Sequence, residues 1–393
     1  LKTTEWIPYS RQDLDEDDIG AVVEVLRSDF LTTGPQVEAF EERFAHFVGA
    51  AHAVAVSSGT AALHCAIHAA GVGPGDEVLV PAMTFTATAA SVLHCGATPV
   101  FVDVCADTLL VDPAAAARRV TPRTRALIAV DYAGQACDYL SLREIAAEHG
   151  LVLLADACHA LGASLHGRKV GSVADLTAFS LHPVKPATCG EGGVITTDSA
   201  QWAERMRRFR NHGIDQDHRR RRGWSYDVLE IGFNYRLTDF QCALAASQLR
   251  KCEERRQRRE QIARSYREVL DGRGPLLPLE VLPSRVHAWH LFVIRCDSPG
   301  LGFTRDELYR QLSQRGIGTA VHYRPVHLHP AYRKKLGTGP GLCPVAEEVS
   351  QQILSLPIHS AMTDEQLERV LSTLGELCRM SPAHPEDRGT MAG

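Results

Sequence analysis

The sequence predicts an α/β protein: a large domain on a mostly parallel central sheet, followed by a smaller α+β domain. Three observations carry this expectation. Short, continuously apolar runs alternate with helical segments from about Ala53 to Thr197. Strands of that kind are buried on both faces, as in a parallel sheet covered by helices. A long helical stretch, Leu237–Leu270, then leads into a region with fewer strands. The 393 residues suffice for two or three domains. The expected division is 1–250 for an N-terminal arm and large domain, 251–380 for a small domain, and 381–393 for a disordered tail rich in Pro, Gly and charge.

The elements follow in order. Asp15 caps a helix over Asp15–Ser28, with Ile19, Val22, Val23 and Leu26 at helical spacing. The expected strands are Ala53–Val56, Glu77–Val80, Pro99–Val104, Ala126–Val130, Leu151–Ala155, Leu176–Ser180 and Val194–Thr197. Thr60–Ala70 and Leu140–His149 read as helices between them, and Gln201–Arg210 as one after them. Ile214–Tyr226 is a polar, arginine-rich loop. In the last third, His290–Arg295 and Gly318–Tyr323 read as strands, and Thr304–Arg315 and Thr363–Cys378 as helices.

Hydrophobic content of 45%, charged content of 23% and a net charge of −5 fit a soluble protein. They give no reason to expect nucleic acid or a membrane as partner. The eleven cysteines are scattered singly, with no Cys-x-x-Cys pair and no metal-ligand spacing. They read as reduced core residues, and no metal site is expected. Leu1–Ser10 lacks the pattern of a secretory signal, so a cytoplasmic location is expected.

Phe179–Gly193 (FSLHPVKPATCGEGG) holds Lys185 between two prolines after an apolar run. A lysine kept from water loses proton affinity, and its neutral amine can attack a carbonyl. That is the setting of a Schiff-base lysine. Pyridoxal 5'-phosphate (PLP) chemistry needs such an amine, an anion at the pyridine nitrogen, a phosphate cradle and a flat group against the ring. Ser58, Gly59 and Thr60 precede a helix whose free amides suit a phosphate, although the same residues make an ordinary helix cap. Asp156 ends a very apolar run, where α/β proteins place ligands, or it is a capping aspartate. His159 could approach the cofactor's phenolic oxygen or be structural. Phe85 is the stacking candidate or a core residue. Ser180 would add a hydroxyl to the phosphate.

Ser57–Leu63 (SSGTAAL), Asp156–His159 (DACH), Phe179–Gly193 and Gly232–Leu237 (GFNYRL) together resemble the DegT/StrS-type nucleotide-sugar aminotransferases. The resemblance runs from about Ile7 to Cys378. It implies a PLP-dependent transferase of fold type I, aspartate aminotransferase-like, acting as a homodimer with shared active sites. It implies that Lys185 is catalytic, that Asp156 pairs with the pyridine nitrogen, and that Asn234 reaches the phosphate from the partner subunit. The family often has Gln where His159 stands. Ile7–Gln12, Ser28–Pro35, Asp131–Gln135 and His182–Lys185 look most like the branch of pseudaminic acid biosynthesis. That branch implies L-glutamate as donor and UDP-2-acetamido-2,6-dideoxy-β-L-arabino-hexos-4-ulose as acceptor. Tyr9, His182, Arg210, His212, Arg236, His322 and Tyr323 are substrate candidates, with Arg324 beside them. The run Arg219–Arg222 either meets the diphosphate or is a solvated loop. The rivals are a C3 aminotransferase or sugar dehydratase on the same fold, and a non-catalytic regulatory protein. A nicotinamide dehydrogenase is disfavoured, since no Gly-x-Gly-x-x-Gly follows the first strand.

Overall fold

The computed structural model describes residues 5–215, 224–270 and 274–379. Seven strands form the central sheet: β1 (His52–Val56), β2 (Glu77–Pro81), β3 (Thr98–Val102), β4 (Thr124–Val130), β5 (Val152–Asp156), β6 (Leu176–Ser180) and β7 (Gly193–Thr197). They correspond to the seven expected strands, with ends displaced by two residues at most. The order is β1-β7-β6-β5-β4-β2-β3. Pairing is parallel from β6 to β3, while β7 runs antiparallel to both β6 and β1. The carboxyl ends of β1, β2, β4, β5 and β6 therefore lie at one edge, where such sheets hold ligands. Helices Pro35–Val48, Gly59–Ala69, Thr86–His94 and Tyr139–His149 pack on the sheet.

The C-terminal strands β8 (Leu276–Pro278), β9 (Phe292–Cys296) and β10 (Ile353–Leu356) form an antiparallel sheet in that order. With helices Cys252–Leu270, Arg305–Gln314 and Asp364–Arg379 they enclose a second core. Ile7 is buried in that core, so the N-terminal arm is tied to the C-terminal region.

Several expectations change. The expected Leu237–Leu270 helix breaks at Lys251 into Asp239–Arg250 and Cys252–Leu270. Lys251 is drawn to Asp15 and Asp18, and the break sends the second helix toward Asp364–Arg379. The N-terminal helix is Glu16–Leu26, capped by Asp15 as expected. Its buried face is Asp18 and Val25, whereas Ile19 and Leu26 are exposed. Asp18 can be buried because Gln248 Nε2 (2.6 Å) and Lys251 Nζ (3.1 Å) donate to it. The segment Gly318–Tyr323 is not a strand. It makes one isolated bridge, Ala320 to Ser355, before Pro325 ends the pairing. Helix Pro35–Val48, with Pro at its first turn, was not anticipated. The expected disordered tail and the Arg219–Arg222 run lie outside the described residues.

Asp131, just past β4, is fully buried. It accepts from Cys137 N–H (2.8 Å) and from Tyr139 O–H (2.8 Å). Burial raises its pKa to about 7, with Cys137 and Tyr139 opposing and nearby Asp156 adding to the rise. The folded chain therefore binds a proton that the unfolded chain releases near pH 4. Wild type should lose stability relative to Asp131→Asn as pH rises from about 4 to about 7, by on the order of 4 kcal/mol in all. Melting temperatures of both proteins across that range check the sign.

Candidate active site

The ends of four strands bring most of the expected cofactor residues to one cleft. After β1, Ser58 caps helix Gly59–Ala69, and its Oγ accepts from Ala61 N–H (3.1 Å). Thr60 is exposed in the first turn. A side chain at Gly59 would start 2.9 Å from Ser180 Cβ and 3.3 Å from Cys158 Sγ. A side chain at Gly193 would start 2.2 Å from Ser58 O, so the Gly-rich turn lets the lysine segment approach the cradle. Gly59→Val should therefore weaken cofactor retention at least tenfold with little change in secondary structure, read by dialysis and circular dichroism.

After β2, Phe85 is 56% exposed and begins helix Thr86–His94. Its ring lies 6.0 Å from that of Tyr323. Asp156 ends β5 and is buried. It accepts from Thr88 Oγ1–H (2.7 Å) and Cys158 N–H (3.2 Å). These bonds fix the orientation of the Asp156 carboxyl group.

Lys185 follows β6, in a turn closed by its own N–H to the His182 carbonyl (2.9 Å). The side chain is partly exposed along its length. Burial of the amine lowers its pKa; Cys158 and Asp156 oppose that shift and Arg259 adds to it. His159 is buried, and burial, with Lys185 and His322 adding, holds its imidazole neutral at neutral pH. Its Nε2 meets Tyr323 Oη at 3.0 Å, while Nδ1 has no hydrogen-bond partner among the described residues.

The substrate candidates divide. Tyr9 packs its ring 5.6 Å from that of His322, and Tyr132 Oη–H donates to the His322 carbonyl. His322 Nδ1 meets Ser355 Oγ at 2.8 Å, and burial lowers its pKa to about 4, with Lys185 adding. Burial pushes the Tyr323 hydroxyl far above its usual range. These residues border the Lys185 cleft. His182 instead serves its own turn, since its Nδ1 accepts from Val184 N–H (3.4 Å). Arg210 is held by Glu41 and by the Ala55 carbonyl (2.5 Å), so its charge is spent locally. Arg236 donates to Asn211 Oδ1 (2.7 Å) and lines, with Arg210, a separate cleft of about 490 Å³. His212 and Asn234 are exposed, Asn211 bridges Asn234, and the Tyr235 carbonyl accepts from Ser57 N–H (2.8 Å). Arg324 is exposed and donates to the Leu328 carbonyl (3.0 Å).

Sequence reasoning missed Thr88, Tyr132 and His290 at the cleft. Thr88 and Asp156 are 68 positions apart, and no local spacing links them. His290 carried a signal, a histidine directly before an apolar strand, but it read only as the start of that strand.

The arrangement fits a planar, phosphorylated aldehyde. The absent Cβ of Gly59 leaves a helix N-terminus open beside two serines. A buried carboxylate, a poorly solvated amine, an exposed aromatic face and an unpaired imidazole nitrogen converge on the same cleft. Among the described residues no group of three or more His, Cys, Asp or Glu side chains could hold a metal ion, and no helix is long and apolar enough to cross a membrane.

Comparison with known proteins agrees. The sequence matches the DegT/DnrJ/EryC1/StrS aminotransferase family over residues 12–375. It is 39% identical to the spore coat polysaccharide biosynthesis protein SpsC of Bacillus subtilis (strain 168), over 96% of this chain and 98% of that protein. Spr1654 of Streptococcus pneumoniae, described as a sugar aminotransferase, superposes in its PLP form with a TM-score of 0.90 at 31% identity, covering 96% of this chain and 100% of that one. It has also been solved in PMP and apo forms. Helicobacter pylori PseC, an aminotransferase of pseudoaminic acid biosynthesis, superposes with a TM-score of 0.89 at 31% identity, covering 95% of this chain and 100% of that one. The chain belongs to the DegT/DnrJ/EryC1/StrS aminotransferase family and is a PLP-dependent sugar aminotransferase of fold type I.

Proposed function

We propose that this enzyme moves an amino group from L-glutamate to C4 of UDP-2-acetamido-2,6-dideoxy-β-L-arabino-hexos-4-ulose, a step in pseudaminic acid biosynthesis. One observation carries the reading. Three of the segments that resemble that branch meet around the Lys185 turn and His322. Ser10 Oγ–H donates to the Val184 carbonyl (3.2 Å), Tyr9 packs on His322, and Tyr132 holds the His322 carbonyl. The likeness to PseC over nearly the whole chain supports the same branch.

Bound PLP supplies an aldehyde that exchanges amines and a ring that accepts electrons. Lys185 is the amine that holds it. Once freed, Lys185 takes the proton from the α-carbon of glutamate, and in the second half-reaction it delivers a proton to C4 of the sugar. Asp156 keeps the pyridine nitrogen protonated through its charge. Gly59, Thr60 and Ser180, with the amides that Ser58 leaves free, receive the phosphate. Phe85 presents its face to the ring, and His159 offers Nδ1 to the phenolic oxygen. Tyr323 orients His159 through the Nε2 contact, and with Tyr9 and His322 it borders the sugar.

The working unit is a homodimer with shared sites. The segment 224–234, which ends at Asn234, exposes Trp224 (92%) and Ile231 (86%), side chains that favour burial against a partner. In the dimer Asn234, His212 and Arg236 serve the site of the partner subunit.

The test is a competition among UDP-linked 4-keto-6-deoxy sugars with L-glutamate present, each product identified by mass and by the position of its amine. The β-L-arabino N-acetyl sugar should be aminated at C4 at least tenfold faster than its C2 epimer or a sugar without the acetamido group. Preference for either of the others would overturn the substrate assignment and leave the family unaffected.

A further inference from the structure

His290 belongs to the C-terminal region, yet it reaches Lys185. Its Nε2 lies 3.4 Å from Lys185 Nζ. The imidazole is 3% exposed and stacks obliquely on His159, with centroids 4.3 Å apart. The loop after β4 fixes its position. Ala288 N–H donates to the Gly134 carbonyl (2.9 Å), and Leu291 N–H donates to the Ala133 carbonyl (3.1 Å). Arg259 Nη1 also donates to the Trp289 carbonyl (3.4 Å). Residues on both sides of His290 are thus anchored.

The other ring nitrogen decides the tautomer. Nδ1 of His290 is buried and has no hydrogen-bond partner among the described residues. A buried N–H without an acceptor is rarer and costlier than a bare lone pair. The proton of the neutral ring therefore belongs on Nε2, facing Lys185. An Nε2–H needs an acceptor, and a lysine amine has a lone pair to offer only when it is neutral.

We propose that His290 is a positioning residue that donates a hydrogen bond from Nε2–H to the Lys185 amine and so favours the neutral, nucleophilic form of that lysine. The groups around the pair agree with this. Arg259 opposes a positive charge on Lys185 or on His290, while Cys158 and Asp156 favour one on Lys185. Burial holds His159 and His322 neutral, so neither brings a charge to the pair. Burial likewise suppresses a charge on His290. The donated bond provides directional stabilisation of the free amine that burial alone does not. The inference rests on Lys185 being the reactive amine of the proposed function.

Two measurements on the cofactor-free full chain test it; Spr1654 has been solved in that form. The first is trace acetylation with acetic anhydride over a range of pH, with the Lys185 peptide quantified by mass spectrometry. His290→Gln offers a carbonyl oxygen that an ammonium can use. Its labelling midpoint at Lys185 should rise by about one pH unit, a tenfold smaller neutral fraction near neutral pH. An unchanged or lower midpoint overturns the proposal. The second is the tautomer in wild type, read from nitrogen-15 histidine spectra and assigned by through-bond correlation from the His290 backbone. A proton on Nε2 with a bare Nδ1 is expected, and a proton on Nδ1 overturns the proposal whether or not the variant folds. Neither readout needs the cofactor, so failure here is separable from failure of the cofactor assignment.

Discussion

Lys185→Ala should reduce amino transfer by about 10⁴-fold or more, the upper range for loss of one positioned acid–base group. In the proposed function the same side chain holds the cofactor and moves the proton, so a single substitution would remove both roles. The cleft has no evident substitute. His159, His290 and His322 are neutral imidazoles, and none follows β6 beside the phosphate cradle. The expected pattern is a folded protein that retains PLP non-covalently and lacks the visible absorption of the lysine-bound cofactor. Single-turnover measurements with glutamate check the loss. A drop below tenfold would place the working amine elsewhere.

Asp156→Asn should slow the glutamate half-reaction by about 10²–10³-fold, the range for removal of one electrostatic contact to developing charge. The change is nearly isosteric. The asparagine carbonyl can still accept from Cys158 N–H, while its amide donates to Thr88 Oγ1, whose hydroxyl can turn to Thr84 Oγ1 at 2.7 Å. Packing should therefore survive, and the melting temperature should move by only a few degrees. What is lost is the carboxyl group that, in the proposed function, pairs with the pyridine nitrogen. Rapid mixing with glutamate, followed by absorbance, measures the rate. Equal damage to cofactor binding and to melting would point to a packing role instead.

The central sheet was legible because each strand is short, apolar and bounded by turn residues. Leu151–Ala155 is one example. Its burial on both faces produces the unbroken apolar run that marks it in the sequence. The candidate cofactor residues drew notice for a related reason. They sit at or just after strand ends, so Ser58–Thr60, Phe85, Asp156 and Lys185 each adjoin a recognisable signal. The reversed direction of β7 was not legible, since the sequence records an apolar run but no polarity for its pairing. Ile19 and Leu26 misled for a physical reason, because helical spacing finds an apolar stripe and cannot say which partner covers it. The pairing of Asp18 with Lys251 and Gln248 inverted that helix. His290 and Thr88 were missed because their partners, Lys185 and Asp156, come from distant segments that only the tertiary structure joins.

The central claim is that Lys185 holds PLP. Borohydride reduction of the purified holoenzyme, followed by peptide mapping, tests it most directly, because the chain has only six lysines. The account predicts a pyridoxyl phosphate adduct on the peptide that contains Lys185 and on no other. An adduct on a different lysine, or none on protein saturated with cofactor, would contradict it.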